Sequence, residues 1–202
     1  MPGLKHEKLC LPPVAGVDEA GRGPLAGPVV AAAVILPARN IPRGIDDSKK
    51  LSANERTRLA TLIRERACVG VGIVEADEID ALNIYWATMK AMTLAVDQLA
   101  ECLGASPGHI LVDGNRLPRW DYAATAIVGG DAVSASIAAA SIVAKHTRDT
   151  IMLAHHESYP HYGWASNKGY GCLAHRRALA EHGPSPLHRR SFAPVAQALL
   201  PL

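Results

Sequence analysis

The sequence lacks the features of secreted, disulfide-bonded and membrane proteins. Its four cysteines are scattered and include no Cys-x-x-Cys pair, which argues against a disulfide framework or a thiolate zinc site and favours a reducing compartment. The N-terminal residues 1–13 mix charges with prolines and have no apolar stretch like that of a signal peptide. The longest apolar run, Val29 to Leu36, is far shorter than the roughly 20 residues that cross a bilayer. We therefore expect a cytoplasmic monomer with no membrane partner.

The chain also has little net charge, +2 at pH 7, but its basic residues are unevenly distributed. Between Ser141 and Arg190 there are seven basic and three acidic residues, together with seven of the nine histidines. A basic C-terminal third beside an N-terminal part that carries carboxylates suits a polyanionic ligand. An ordinary solvated helical surface has a similar composition, so the charge alone leaves both interpretations open.

The apolar pattern changes period several times, which predicts a mixed α/β sheet with helices on its faces and a small helical segment at the C-terminus. Val14–Asp18 and Pro28–Leu36 are predicted to form a hairpin around a glycine-rich turn. Ser52 and Glu55 form a capping-box pattern, which predicts a helix that ends near Arg66. The other predicted elements are strands at Cys68–Glu75, Ile110–Val112 and Ala124–Val128, and helices at Asp77–Cys102, Val133–His156 and Leu173–Glu181.

Acidic residues stand where three of the predicted strands end or the following loops begin. Asp18 and Glu19 follow the first strand, Asp113 follows Leu-Val, and Asp131 follows Gly-Gly. Each aspartate alone is typical of a turn or a helix cap. However, two adjacent charges directly after an apolar strand need a partner, and carboxylate oxygens are the hard ligands that Mg²⁺ and Mn²⁺ prefer. As a group, these residues indicate a divalent metal site.

The glycine-rich segment 21–27 resembles a nucleotide-binding loop only superficially. Its third glycine comes one position too late for a dinucleotide fingerprint, a strand follows it, and it lacks the Gly-Lys-Ser/Thr of a P-loop. This disfavours a nucleotide-binding oxidoreductase. The segment is either a plain hairpin turn or a turn whose backbone amides approach a sugar or a phosphate closely.

Six motifs occur in order: Val-Asp-Glu-Ala-Gly-Arg-Gly-Pro (17–24), Asp-Ser-Lys-Lys-Leu-Ser (47–52), Leu-Val-Asp-Gly-Asn-Arg (111–116), Gly-Gly-Asp (129–131), Ile-Ala-Ala-Ala-Ser-Ile-Val-Ala-Lys (137–145) and Asn-Lys-Gly-Tyr-Gly (167–171). Together they resemble the motif set of the ribonuclease HII family, from about Val14 to His188. The ordered set is far more specific than any one motif. The Gly-Arg-Gly after Asp-Glu separates the chain from the sister family ribonuclease HIII, which typically has another residue between these glycines.

The resemblance implies a ribonuclease H-like mixed β-sheet flanked by helices. It also implies an N-terminal extension (1–13), a catalytic core (14–158) and a C-terminal helical substrate-binding segment (159–202). The implied activity is that of an endoribonuclease that cleaves the RNA strand of RNA–DNA hybrids and nicks duplex DNA on the 5′ side of an embedded ribonucleotide. Two metal ions, Mn²⁺ or Mg²⁺, would promote hydrolysis that leaves a 3′-hydroxyl and a 5′-phosphate.

The resemblance also implies roles for individual residues. The four family carboxylates that hold the metal and carry out catalysis match Asp18, Glu19, Asp113 and Asp131. The turn that reads the ribose 2′-hydroxyl matches Gly21, Arg22 and Gly23, and a tyrosine that stacks beside the ribonucleotide matches Tyr170. The residues that resemble phosphate contacts are Lys49, Ser141 and Lys145.

Three further features leave questions that the motifs do not answer. Cys172 stands where the family commonly has threonine, which puts a hydrogen bond from that position in doubt. The tail Gln197–Leu202 resembles peptides that dock on sliding clamps, although a frayed C-terminus is the alternative. His155–Glu157 with His161 could hold a metal, but a solvated helix end is favoured.

Two other classes of function stay open at this point. A non-catalytic protein that binds RNA–DNA duplexes would need the basic segment, but four carboxylates near the phosphates would only repel the ligand. The other is a DNA-directed nuclease of the same broad fold, which would cleave a substrate that contains no ribose.

Overall fold

A computed structural model describes residues 1–199 as an α/β protein built on a five-stranded mixed sheet. The strands are β1 (Val14–Ala20), β2 (Val29–Ile35), β3 (Cys68–Val74), β4 (His109–Asp113) and β5 (Ala124–Ile127). Their order in the sheet is β3-β2-β1-β4-β5. The β1–β2 and β2–β3 pairs are antiparallel, whereas the β1–β4 and β4–β5 pairs are parallel. The predicted fold class and the predicted hairpin are therefore confirmed.

The helices cover both faces of this sheet. They are α1 (Ala53–Arg66), α2 (Ala76–Leu82), α3 (Ile84–Leu103), α4 (Ala135–Ser158), α5 (Trp164–Asn167), α6 (Leu173–His182) and α7 (Ala193–Ala198). On one face α3 packs against the sheet through a core that includes Met92, Val96 and Leu99. On the other face α1 and α4 enclose a second core that includes Leu59 and Ile142.

The predicted start of α1 is confirmed, with Ser52 as its N-cap. The Ser52 hydroxyl accepts a hydrogen bond from the Glu55 backbone N–H at 3.3 Å, so it satisfies a donor that the first turn would otherwise leave free. The strand β1, by contrast, continues two residues past the predicted end at Asp18. Antiparallel pairing with β2 extends it, since Glu19 and Ala20 have partners there.

The prediction of a single helix over Asp77–Cys102 is wrong, because α2 and α3 are separated at Asn83. This residue has a φ of 66°, and its side-chain oxygen accepts hydrogen bonds from the N–H groups of Tyr85 and Trp86. Asparagine tolerates positive φ better than most residues and is a favoured N-cap, so it ends one helix and starts the next. The apolar periodicity continues across the break and conceals it.

The start of α4 lies directly against β1, next to the acidic residues of that strand. A Cβ atom on Gly16 would lie only 2.1 Å from the carbonyl carbon of Ser136, so a larger residue would push the helix away. The N-terminal residues pack at the same place. The Glu7 carboxylate accepts hydrogen bonds from the Ser134 hydroxyl at 2.7 Å and from the Ser136 backbone N–H at 2.9 Å. Gly3 pairs with Ser134, a contact that the sequence did not indicate.

Two predictions concern the ends of the chain and its surroundings. The proposed clamp-binding tail, Gln197–Leu202, includes residues 200–202, which lie outside the described residues. Within residues 1–199, every helix is too short or too polar to span a bilayer.

Candidate active site

Three carboxylates meet where β1 and β4 lie side by side. Val17 pairs with Val112, so Asp18 and Asp113 occupy the next positions on neighbouring parallel strands. Asp131 comes from the short 3₁₀ turn that precedes α4. One carboxylate oxygen from each of the three lies within 4.8 Å of the other two. The structure thus brings together three of the four acidic residues that the sequence singled out.

Hydrogen bonds and charge fix the turn that carries Asp131. The backbone N–H of Gly130 donates to Asp113 Oδ1 at 2.7 Å, which ties this turn to the end of β4. On the other side, Lys49 Nζ lies 3.6 Å from Asp131 Oδ2. Desolvation lowers the pKa of Lys49, but the surrounding carboxylates, Asp131 first among them, outweigh it and raise the pKa overall. Lys49 is therefore a cation at the edge of the acidic cluster.

The cluster has unbalanced negative charge. Asp18 is 5% exposed, and burial raises the pKa of its carboxyl well above the usual range, with further increases from the charges of Glu19, Asp113 and Asp131. Burial also raises the pKa of Asp113, while the hydrogen bond from Gly130 opposes that change. Because carboxylates at this spacing repel one another, a cation among them would stabilise their ionised forms.

Glu19 lies beside this group of three. Although neighbouring strand residues alternate between faces, the two carboxyl groups interact, since the charge of Glu19 raises the pKa of Asp18. The Glu19 carboxylate accepts a hydrogen bond from Arg22 at 3.3 Å, and with Asp113 it lines a hollow of about 290 Å³. Burial raises the pKa of Glu19, although Arg22 opposes the increase. Asp113 is thus the residue shared by the three-carboxylate cluster and the Glu19 hollow.

A buried arginine, Arg189, holds the glycine-rich turn from behind. Its guanidinium donates hydrogen bonds of 2.6–3.1 Å to the backbone carbonyls of Gly21, Arg22, Gly27 and Pro28. Burial, followed by repulsion from Arg148, lowers its pKa to about 9. These hydrogen bonds hold the backbone of the turn in place, and Arg22 of the turn lines the hollow next to Glu19.

A second buried arginine, Arg148 on α4, connects the same turn to the C-terminal segment. It donates to the carbonyls of Ala26 and Pro28 and, at 3.0 Å, to the carbonyl of Lys168. Arg148 lies seven residues after Ser141, so both are on one face of the helix. In the sequence, the spacing from Ser141 was the only feature that could have indicated a position near the site for Arg148. Neither buried arginine was predicted, and no pattern in the sequence indicated Arg189.

Tyr170 stands on the loop that follows this connection. Its side chain is 46% exposed, and a Cβ atom on Gly23 would lie 3.8 Å from its ring, so the tyrosine borders the turn. The backbone carbonyl of Tyr170 is 3.0 Å from Nδ1 of the buried His175. The structure therefore places Tyr170 next to Gly23.

The other predicted phosphate contacts lie in different surroundings. Ser141 is buried, and its hydroxyl donates to the Ser48 hydroxyl at 2.7 Å, directly before Lys49 in the chain. Lys145 bonds to Asp149 at 2.6 Å and lines a separate hollow of about 340 Å³ between α1 and α4. Only Lys49 of the three contacts the acidic cluster directly.

The acidic cluster fits a divalent metal site, since it offers hard oxygen donors that are close, largely buried and mutually repelling. Within residues 1–199 it is the only group of three or more acidic, histidine or cysteine side chains with metal-ligand spacing, so His155–Glu157 and His161 form no such group. Cys172 begins α6 as an N-cap residue, and its side chain makes no capping hydrogen bond there.

Solved structures with this fold define the class of protein. Ribonuclease H2 from Pyrococcus horikoshii OT3 has a TM-score of 0.71 and 27% identity, covering 92% of this chain and 96% of that chain. The RNase HII of Archaeoglobus fulgidus, solved in complex with PCNA, has a TM-score of 0.71 and 26% identity, covering 94% and 98%. Bst-RNase HIII in complex with Mn²⁺ shares the fold, with a TM-score of 0.69 over 92% of this chain and 68% of that one, at 23% identity. The protein is a nuclease of the ribonuclease H class.

The family follows from sequence similarity. The model of the family Ribonuclease HII matches residues 15–195. The chain is 62% identical to ribonuclease HII of Rhizorhabdus wittichii, over 92% of this chain and 90% of that protein. It is 58% identical to ribonuclease HII of Erythrobacter litoralis, over 91% and 89%. The chain belongs to the ribonuclease HII family and is a ribonuclease H enzyme, which confirms the resemblance noted in the motifs.

Proposed function

We propose that the protein cleaves the RNA strand of RNA–DNA hybrids and nicks duplex DNA on the 5′ side of an embedded ribonucleotide. Hydrolysis leaves a 3′-hydroxyl and a 5′-phosphate. The observation that carries the proposal is the largely buried cluster Asp18, Asp113 and Asp131, together with the hollow that Asp113 shares with Glu19 and with Arg22 of the glycine-rich turn. A phosphodiester held at the cluster would put its ribose within reach of that turn.

The metal-holding residues in this proposal are Asp18, Asp113 and Asp131, with Glu19 at the neighbouring hollow. Their hard oxygen donors suit Mn²⁺ or Mg²⁺, and the Mn²⁺ complex of the similar Bst-RNase HIII supports this choice. When bound, a pair of such ions supplies an activated water and stabilises the charge that develops on the leaving 3′-oxygen. No side chain of the protein has to act as the nucleophile.

Recognition of the ribose depends on the turn and on Tyr170. Gly21 is buried against Arg148, but Gly23 is exposed and has no side chain, so a 2′-hydroxyl can approach the backbone there. That hydroxyl is what distinguishes RNA from DNA at one position. Tyr170 borders Gly23 and is half exposed, which suits stacking beside the ribonucleotide. Buried hydrogen bonds from Arg189 keep the turn in one conformation while the substrate binds.

Phosphate contacts come from basic residues around this centre. Lys49 lies at the edge of the cluster, where it would offset part of the negative charge that a phosphate meets. Ser141 supports Lys49 through its bond to Ser48, and Lys145 would reach the strand further away. The C-terminal segment 159–202 would bind the duplex with exposed arginines such as Arg176 and Arg177, next to the catalytic core 14–158 and the extension 1–13.

The test compares a labelled RNA–DNA hybrid with an all-DNA duplex of the same sequence, with Mn²⁺, Mg²⁺ or chelator. We expect cleavage of the RNA strand only, in the presence of either metal. The products should carry a 3′-hydroxyl that a DNA polymerase can extend. Cleavage of the all-DNA duplex would favour a DNA-directed nuclease, and tight binding without cleavage would favour a non-catalytic duplex-binding protein.

The tail Gln197–Leu202 is a second, separate proposal within the same function. Its resemblance to clamp-docking peptides supports a contact with a sliding clamp, as does the PCNA complex of the similar Archaeoglobus fulgidus protein. Deletion of residues 197–202 should then abolish binding to the clamp of the source organism and leave cleavage of a short hybrid intact. Unchanged clamp affinity after this deletion would contradict the contact.

A further inference from the structure

An arginine-lined hollow lies outside the active site. It measures about 800 Å³ and is formed by the loop between β2 and α1 together with one face of α1. Its apolar walls include Pro37, Pro42 and Leu62, and Asn40 lies at its edge. The side chains that give the hollow its charge are Arg39, Arg43, Arg58 and Arg66.

The helix contributes its two arginines by regular spacing. Arg58, Leu62 and Arg66 are four residues apart, so they follow one another on the same face of α1. Arg39 and Arg43 face them from the loop. Four guanidinium groups that share one concavity repel one another and present their planar N–H forks in the same space.

None of these charges is balanced by the part of the chain that the structure describes. Within residues 1–199, no carboxylate lies within 4.0 Å of any of the four guanidiniums, and none of them donates a side-chain hydrogen bond. The neighbouring Arg64 differs, since its guanidinium bonds to the Thr147 hydroxyl at 2.8 Å on the other side of α1. The hollow therefore concentrates positive charge that the fold itself does not use.

The hollow is also far from the carboxylate cluster. Asp18 pairs with Ala32, and β2 runs antiparallel to β1. Pro37 is five residues after Ala32, so it lies beyond the opposite end of the strands. At about 3.3 Å per residue, that separation is roughly 17 Å. Arg66 lies at the same end of the strands, because Cys68, two residues later, pairs with Ile35. A phosphodiester at the carboxylates does not reach this place.

We propose that this hollow is a second anion site that binds a small molecule with a chain of phosphate groups. Arginine forks match phosphate oxygens in a bidentate manner, and several phosphates in one chain match several guanidiniums in one concavity. A nucleic-acid strand presents its charges one per nucleotide along an extended path instead. The volume and the apolar walls also suit a small ligand, which pockets of about 300–1,000 Å³ hold.

The test measures binding without catalysis. Inorganic tripolyphosphate and ATP are titrated calorimetrically into the full-length protein in low-salt buffer with chelator, because polyphosphates sequester divalent metals. The double variant Arg58→Ala/Arg66→Ala should lose at least about tenfold in affinity for both, because it removes two of the four guanidiniums that would form charged hydrogen bonds with the phosphates. Arg64→Ala, on the same helix but outside the hollow, is the matched control and should bind within about twofold of wild type.

The two probes also identify the source of the phosphates. Equal affinity for both points to a free polyphosphate, whereas tighter binding of ATP points to a nucleotide, and either result supports the site. Absence of measurable binding to the wild-type protein, or the same loss in Arg64→Ala as in the double variant, would overturn it. So would a loss of affinity for an all-DNA duplex with unchanged tripolyphosphate binding. Cleavage of a hybrid by the double variant is measured separately. This distinguishes a failure of the proposed anion site from a failure of the proposed nuclease function.

Discussion

His175 and His188 face each other inside the C-terminal segment with their Nε2 atoms 3.0 Å apart. The carbonyl of Tyr170 can only accept, so in the neutral ring Nδ1 of His175 carries the proton and its Nε2 is an acceptor. The single lone pair of that Nε2 is shared by two donors, the indole N–H of Trp164 at 3.2 Å and the N–H of His188. Nδ1 of His188 in turn accepts from the Ser185 backbone N–H. The network is complete only when both rings are neutral, and it supports the loop that carries Tyr170.

We predict that this pair makes the protein less stable in mild acid. Burial, followed by repulsion from His175, lowers the pKa of His188 to about 4, and burial also lowers the pKa of His175. An unfolded histidine has a pKa of about 6.5. Between these values the unfolded chain binds protons that the folded chain does not, so the stability contribution is present above pH 6.5 and is lost as the pH falls towards 4. For His188 the loss from pH 7 to pH 5 should be about 2 kcal/mol.

Urea unfolding at pH 7 and pH 5 measures this effect. His188→Gln should show a smaller loss over the same range than wild type, and the difference isolates the histidine because both proteins share the carboxylates. A variant of the exposed His182, such as His182→Gln, serves as the control and should keep the wild-type dependence. An identical pH dependence in wild type and His188→Gln would contradict the account.

Asp113→Asn tests the residue that the cluster and the Glu19 hollow share. Loss of a metal-holding carboxylate should lower kcat by more than about a hundredfold. Folding should be preserved, because the amide oxygen can still accept the hydrogen bond from Gly130. Melting in chelator should occur at the wild-type temperature or above, since one of the repelling charges is gone. Near-wild-type turnover, or an unfolded product, would show that this role is misassigned.

Tyr170→Ala tests the proposed ribose reader. Removal of the ring should cost about 1–3 kcal/mol of stacking, seen as a fall of about fivefold or more in kcat/KM for a duplex with one ribonucleotide. Affinity for an all-DNA duplex should stay unchanged. Tyr170→Phe is the matched control, since it keeps the ring beside Gly23 and should restore most of the activity. A parallel loss of all-DNA affinity in the alanine variant would instead indicate a general binding role.

Arg189→Met tests whether the buried guanidinium organises the glycine-rich turn. The substitution leaves the carbonyls of Gly21, Arg22 and Gly27 without this donor, whereas Pro28 keeps its hydrogen bond from Arg148. Each unsatisfied buried group costs about 1–3 kcal/mol, so the free energy of unfolding should fall by several kcal/mol. Arg189→Lys should recover only part of it, because an ammonium lacks the planar fork. The adjacent, exposed Arg190 provides the stability control as Arg190→Met. Equal stability of the two methionine variants would refute the role.

The sequence predicted the parts of the site that depend on strand ends. Asp113 and Asp131 could be placed because an apolar run stops shortly before each of them, and the metal chemistry follows from the carboxylates. What the sequence could not show was burial of charge. From the sequence alone, Arg148 and Arg189 are expected at the surface, as most arginines are. Only the folded structure shows that backbone carbonyls surround them.

Local signals likewise missed the break between α2 and α3. The apolar spacing continues through Asn83, and its positive φ becomes evident only when its side chain is seen to cap α3. The packing of Glu7 on the start of α4 depends on contacts across more than a hundred residues, for which no periodic pattern exists.

The central claim is tested most directly by a labelled DNA duplex that contains one ribonucleotide, incubated with Mn²⁺ or Mg²⁺ beside an all-DNA control. The account predicts one metal-dependent nick on the 5′ side of the ribonucleotide, absent with chelator, absent with Asp113→Asn and absent from the control duplex. A nick elsewhere, a nick in the control, or none with either metal would contradict it.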